Sequence, residues 1–376
     1  MNKPQITLFR DFIEDGRKSM DIYADALGKA LRICVDDRFD IIDYVPHTSD
    51  FRNKVLGKHR FRMRMERYLS YPLQARKHQS SVNHIIDHAY GHLLKCISPE
   101  RSIINVHDLI PILAYNNKIP GLSYPNLPLL FKFSLSSLKA AKYVVAVSNS
   151  TKNDLVTYCG LAEEKIRVIH NGVDSRFILL PGAARNNLRR SFGFQEGAKV
   201  ILITGSLSYK NHATSFQVIE ILQQKVIIPI QLVILKGASN DLEADMTKYR
   251  FDNQVIILSG LDTHRLVELY NAVDCLLFPS WYEGFGWPPL EAMACGTPVV
   301  TSNVASLPEI VGDAGLMESP HDPIKLAEAV LVFLENNEFR EMYIQRGIKR
   351  ASLFTWERCA IEFGKLYDDI LRSDLN

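Results

Sequence analysis

Little in this chain points to an unusual compartment or a polyanionic partner. Its 44 Lys and Arg nearly balance 42 Asp and Glu, a formal net charge of +2, so nothing global argues for nucleic acid. The six cysteines (Cys34, Cys96, Cys159, Cys275, Cys295, Cys359) include no Cys-x-x-Cys pair. That disfavours a metal centre or a disulfide framework and fits a reducing cytoplasm. No apolar run can cross a bilayer: the longest, Val226–Leu235, is broken by Pro229 and Gln231. The opening M-N-K-P-Q-I-T-L-F-R has too short an apolar part for a signal peptide and reads as a strand. Repeats of fixed period and biased tracts are absent as well.

What is present is an ordinary globular composition, 47% hydrophobic and 23% charged, over 376 residues. That length implies two domains of roughly 150–200 residues each. Short β-rich runs alternate with helical segments, the mark of parallel α/β sheets. In the first half, strands are expected at Ile6–Phe9, Ile41–Tyr44, Val82–Ile86, Ile103–Val106, Tyr143–Val147 and Arg167–Ile169. Helices are expected at Met20–Ile33, Leu127–Ala141 and Ser150–Cys159, the last with Ser150 as N-cap and Gly160 as stop. Asp108–Asn126 holds Pro111, Pro120 and Pro125 without a clear period and reads as a functional loop. Val173–Ala198 reads as a linker with a short helix. The second half restarts with strands Val200–Thr204, Gln231–Leu235 and Val255–Leu258, helix Thr263–Asn271 and strand Cys275–Phe278; a loop, a short helix and strand Pro298–Thr301 follow. Two such units imply a cleft between them, a favoured ligand site.

The most informative stretch is F-P-S-W-Y-E-G-F-G-W-P-P-L-E-A-M-A-C-G-T-P-V-V, Phe278–Val300. A strand ends at Phe278, a loop with Gly284 and Gly286 follows, and Pro288 or Pro289 suits a first helical turn, having no N–H to lose. Gly296 closes the helix. Glu291 is then expected near a helix start that offers N–H groups to a phosphate, with Glu283 in the loop before it. Two such carboxylates can accept hydrogen bonds from two polyols, a sugar and a ribose. A carboxylate beside a helix start can also be a mere dipole partner; the pair, in this Gly/Pro frame, favours the ligand reading.

Glu283 and Glu291, followed by A-M-A-C-G-T-P-V-V, resemble the signature of retaining glycosyltransferase family 4, which has the GT-B fold. The resemblance implies two Rossmann-like αβα domains facing each other across a cleft. The first would span 1–178, completed by a last helix over 356–376, and the second 179–355. It implies that Glu283 contacts the transferred sugar and Glu291 the nucleotide ribose, with Gly284, Phe285, Gly286 and Leu290 in the same donor loop. I-T-G-S-L-S-Y-K-N (Ile203–Asn211) resembles the phosphate-gripping turn, with Gly205 and Lys210 at the donor diphosphate. Many relatives carry Arg where this chain has Ser206, so Lys210 acts alone or with help from elsewhere. N-V-H-D-L-I-P (Asn105–Pro111) resembles the family's turn that carries a histidine. His107 would contact the donor sugar or the departing phosphate, and Asp108 would orient the turn. V-S-N-S-T-K-N-D-L, V-I-H-N-G-V-D, S-G-L-D-T-H-R-L-V-E-L-Y-N-A-V-D, L-P-E-I-V-G-D-A-G-L and F-T-W-E-R extend the match, which runs from about Ser102 to Leu371.

The N-terminal part departs most. The counterpart of the family's glycine-rich turn is D-F-I-E-D-G-R-K-S-M, with only Gly16; Arg17 and Lys18 either touch an acceptor or the donor phosphates, or are solvated loop charges. With no suitably placed Asp-x-Asp pair, and by resemblance, no metal or other cofactor is expected; the donor is a nucleotide-diphosphate sugar. The acceptor would be a glycan or a lipid-linked molecule, the setting surface polysaccharide synthesis. The alternatives are a GT-B-fold epimerase or an inactive nucleotide-sugar-binding or scaffolding protein. G-F-G-W-P-P lacks the third glycine of the dinucleotide fingerprint, which disfavours a dehydrogenase. Finally, Arg52–Lys77 carries nine Lys/Arg against one acid, Glu66. It is either a solvated face or a patch for anionic lipid, which would place a cytoplasmic enzyme on the inner face of the membrane.

Overall fold

The computed structural model describes residues 3–47, 63–236 and 255–373. The chain forms two compact units, one of Met1–Ile112, Pro125–Gly172 and Trp356–Asn376, the other of Leu113–Tyr124 and Val173–Thr355. The second unit thus takes in Leu113–Tyr124 of the proline-bearing loop. Within the second unit the Val173 N–H donates to the Phe354 carbonyl at 2.9 Å.

The first unit holds six parallel strands: β1 (Gln5–Phe9), β2 (Asp40–Tyr44), β3 (Val82–Ile85), β4 (Ser102–Val106), β5 (Tyr143–Ala146) and β6 (Ile166–Val168). They lie in the order β2-β1-β3-β4-β5-β6. Its helices are α1 (Lys18–Cys34), α2 (Tyr71–Lys77), α3 (Ile110–Tyr115, whose residues from Leu113 on belong to the second unit), α4 (Leu129–Ser137) and α5 (Asn149–Cys159). α1 buries Tyr23, Ala24, Leu27, Gly28 and Leu31, positions three and four apart that form one stripe. β3 and β4 are buried along their whole length, as parallel strands covered on both faces must be. Two differences from the expected elements have simple causes. Ser148, not Ser150, caps α5: its hydroxyl accepts from the Thr151 N–H at 3.1 Å while its backbone stays extended. Ile110–Tyr115 is a helix because Asp108 accepts from the Ile110 N–H at 3.0 Å, starting a turn just ahead of Pro111.

The second unit holds β7 (Lys199–Thr204), β8 (Ile230–Lys236), β9 (Val255–Ser259), β10 (Cys275–Phe278), β11 (Val299–Ser302) and β12 (Leu316–Glu318), in the order β12-β11-β10-β7-β8-β9. Its helices are α6 (Gly182–Ser191), α7 (His212–Lys225), α8 (Thr263–Ala272), α9 (Trp287–Ala294), α10 (Leu307–Val311), α11 (Pro323–Glu335) and α12 (Asn337–Ala351). Its core joins Ile201, Ile203, Phe216, Ile219, Leu232, Leu277, Val330 and Phe333. The last helix, α13 (Trp356–Ser373), belongs to the first unit and buries Cys359, Ala360, Phe363, Tyr367 and Ile370.

α13 also closes a buried polar chain. His84 Nδ1 lies 2.7 Å from the Tyr367 hydroxyl and His84 Nε2 3.1 Å from Asn105 Oδ1, and Asn105 donates to Tyr23. Those partners are why strands as deep as β3 and β4 tolerate His84 and Asn105.

Candidate active site

In the second unit the strand order reverses between β7 and β10, which are hydrogen-bonded neighbours. Loops leaving the C-terminal ends of two such strands diverge and leave a crevice, the usual ligand position in open α/β sheets. The loop after β7 carries Gly205 and Lys210; the loop after β10 carries Glu283. Lys210 Nζ reaches Glu283 Oε1 at 2.7 Å, both side chains being nearly buried. The ammonium also lies 4.7 Å from the Phe278 ring centroid and 5.1 Å from that of Tyr209. Gly205 has φ +90°, and a Cβ there would meet Lys210 Cγ at 2.9 Å. The lysine stem therefore lies across a position that only glycine can fill. Asn211 fixes the same loop, its amide donating to the Pro279 and Pro320 carbonyls at 3.0 and 3.1 Å.

The β10 loop is held from below. Ser306 Oγ lies 2.9 Å from the Glu283 carbonyl and 2.6 Å from that of Phe285. Gly284, Phe285 and Gly286 are buried, and Gly286, at φ +110°, is the N-cap of α9. Two expectations change here. Pro288 and Pro289 both occupy the first turn, so the mouth of α9 is poorer in amide donors than expected. Glu291 lies beyond that first turn, where its Oε2 accepts from the Tyr270 hydroxyl at 2.9 Å. Burial pushes the Glu291 carboxyl up to about 7, with Tyr270 pulling down and Asp174 pushing up. Leu290 is fully buried.

The first unit reverses its strand order between β1 and β3. Asp11 follows β1, Asp87 and His88 follow β3, and His107 and Asp108 follow β4. Arg17 ties two of these together, pairing with Asp11 at 3.2 Å and with Asp87. Asp15 accepts from Arg67 at 3.0 Å and from the Tyr90 hydroxyl, and the Arg67 guanidinium lies 4.2 Å from the Tyr90 ring centroid. Asp11 is deeply buried with Oδ1 lacking a partner, and burial raises its carboxyl to about 6 against the pull of Arg17 and Arg67. His107 Nε2 lies 2.9 Å from the Ile86 carbonyl, and its ring meets Tyr23 edge-on at 4.6 Å. Burial holds His107 down to about 3, so the ring is neutral. A carbonyl only accepts, so Nε2 carries the proton and Nδ1 the lone pair.

Arg17 is thus an ion-pair centre rather than a solvated charge, whereas Lys18 and Gly16 are exposed, with no atom within 4 Å of where a Gly16 Cβ would stand. Asp108 accepts from the Ile110 N–H in the turn that leads into α3. Of the basic stretch, Arg52–Arg62 lies outside the described residues; Arg64, Arg76 and Lys77 are exposed, and Arg67 is drawn inward. Among the described residues no His, Cys, Asp and Glu cluster has a metal-holding arrangement, and no helix is long and apolar enough to cross a membrane.

Residues 184–350 match the Glycosyl transferases group 1 family and residues 48–177 match Glycosyltransferase Family 4. The chain belongs to glycosyltransferase family 4. Among its relatives, the O-antigen chain mannosyltransferase B of Escherichia coli is 29% identical over 60% of each chain. The serotype-specific mannosyltransferase WbdA of Escherichia coli is 26% identical over 70% of this chain but 32% of its own length. The match thus spans less than two thirds of these relatives. Among solved structures, the sucrose-phosphate synthase of Thermosynechococcus elongatus superposes with a TM-score of 0.76 over 99% of this chain and all of that one, at 18% identity. Anabaena HepE in complex with UDP and glucose gives 0.75 over 97% of this chain and all of that one, at 15% identity. The fold is therefore the GT-B type.

Several residues at the two strand reversals escape motif reading. Asp11, Asp87 and His88 stand just past strand ends, and that position was the one usable signal for them. Ser306 and Tyr270 come from distant segments, and only the fold brings them to the loop and to Glu291.

Proposed function

We propose that the chain is a retaining, metal-independent glycosyltransferase that takes a sugar from a nucleotide-diphosphate donor to a glycan or lipid-linked acceptor in surface polysaccharide synthesis. The Lys210–Glu283 pair at the β7/β10 reversal carries this reading. An incoming diphosphate competes with Glu283 for the Lys210 ammonium, and the freed carboxylate accepts from sugar hydroxyls. Glu291, once ionised, accepts from the ribose. The bond from the anomeric carbon to the diphosphate oxygen breaks, the acceptor oxygen bonds to that carbon, and its proton passes to the leaving phosphate. Lys210 and the amides of the Gly284–Gly286 loop offset the charge that develops there. His107, neutral, offers Nδ1 or its ring to the donor sugar or phosphate. The relatives named mannosyltransferases and the neighbour holding UDP and glucose support this reading.

The test is turnover of a panel of nucleotide sugars in EDTA, read as free nucleoside diphosphate with and without acceptor extract. One donor should be consumed only with acceptor, and Lys210→Met should slow it by about 10²-fold or more. Tight binding without release, or full activity in the Lys210 variant, would contradict the proposal.

Contact with anionic membrane through 52–77 is part of the same proposal. Leu69 and Leu73, four apart and exposed, lie among the exposed Arg64, Arg76 and Lys77. Vesicles containing anionic lipid should sediment the protein at low salt and release it at high salt; equal recovery with neutral lipid argues against the contact.

A further inference from the structure

The second unit contains a cavity of about 200 Å³ away from the donor crevice. Val273 and Thr297, the residues leading into β10 and β11, line it, so it opens at the N-terminal edge of the sheet, opposite Lys210 and Glu283. Arg185 and Leu188 of α6 and Arg340, Glu341 and Ile344 of α12 line it as well. Two arginines therefore line one small hollow. Arg185 is held by the Val273 carbonyl at 2.9 Å and Asp274 at 2.8 Å. Burial lowers the Arg185 pKa, Asp274 opposes this, and Arg340 lowers it further by like-charge repulsion.

Arg340 has no such support. Its Nε is buried without a hydrogen-bond partner, and among the described residues no carboxylate pairs with it. Two acids stand nearby, Asp274 and Glu341, the latter also lining the cavity. Asp274 is shared by Arg185 and Arg189 and also accepts from the Val200 N–H at 2.8 Å, while Glu341 accepts from Gln345 at 2.9 Å. The start of α6 adds to the imbalance. Pro181 is its N-cap, no side chain caps it, its first turn has no acid, and Pro181 and Gly182 line the cavity. Helix starts of this kind attract anions.

We propose that this cavity is a binding site for a dianionic phosphate group, free or as a small monoester. Arg340 and Arg185 would clamp the oxygens beside the first turn of α6, and Leu188 and Ile344 would cover the apolar side of an ester.

Two measurements on the full chain test it. The first is Tm against inorganic phosphate or glycerol 3-phosphate, with ionic strength held constant by sodium chloride. A saturable rise is expected with either anion and none with chloride, and Arg340→Met should weaken half-saturation by about tenfold or more. Saturation by phosphate alone assigns the free ion; tighter saturation by the ester assigns a monoester. The second is hydrogen exchange of the unmodified chain with and without phosphate, which needs no variant to fold. Protection should appear in 181–188 and 337–344. Protection confined to 205–211 and 284–290, a shift reproduced by chloride, or an unchanged response in the Arg340 variant would overturn the proposal.

Discussion

Gly205 shows how one residue governs a site it does not itself chemically serve. Its φ of +90° is strained for any side chain, and a methyl group would collide with the Lys210 stem. Gly205→Ala should cost about 1–3 kcal/mol of stability and raise the donor KM by moving the ammonium. Urea unfolding and donor kinetics check both effects, and an unchanged KM would separate Gly205 from Lys210. Glu291 makes a second residue-scale case. Its folded pKa, about 7, lies above the ordinary 4.5, so the folded chain holds a proton that the unfolded chain has lost. Stability from this group is present below about 4.5 and lost as pH rises through 7. Donor affinity should move the opposite way, rising through pH 7 as the carboxylate ionises. Glu291→Gln should flatten both curves; a donor titration that keeps its midpoint near 7 in this variant would remove Glu291 from the assignment.

At the scale of elements, Gly91 sets the distance between α4 and the 3-10 segment His88–Lys95. A Cβ on Gly91 would stand 2.4 Å from the Ser134 carbonyl oxygen, a backbone atom that cannot swing aside. Gly91→Ala must part the two elements, and with them the pair His92–Ser134 at 3.0 Å. A loss of about 1–3 kcal/mol is expected from overpacking alone, read as a lower urea midpoint. A wild-type midpoint would mean that α4 is free to shift. His88, beside Asp87 at the β1/β3 reversal, begins the same segment, so donor turnover should fall with stability.

For the whole molecule, the histidines decide the acid limit. Burial depresses His84, His88 and His92 to about 4 and His107 to about 3. Below the ordinary value of 6.5, the unfolded chain takes protons that these four refuse, so their stability contribution falls with pH. Asp11, near 6, and Glu291, near 7, act oppositely, holding protons when folded. Four groups against two leaves a net uptake on unfolding of up to two protons, each about 1.4 kcal/mol per pH unit. The urea midpoint should therefore drop between pH 6.5 and 4.5; a midpoint rising over that range would contradict the assignment.

The positions of many strands along the chain and the family motif could be read from the sequence because both are local. β-branched runs between turn signals mark β1, β4 and β7, and the Gly/Pro frame from Phe278 to Val300 marks the donor loop. α7 escaped that reading, its β-branched residues and left-handed start at Asn211 masking a helix that buries Phe216, Ile219 and Leu222. Tertiary structure alone decided that Lys210 meets Glu283, that Tyr270 engages Glu291, and that Arg67 turns inward to Asp15. Each pair joins segments far apart in sequence, and no local period encodes such a meeting. Burial decided the rest: the same histidine or carboxylate titrates ordinarily in water and far from its usual pH once the fold has removed that water.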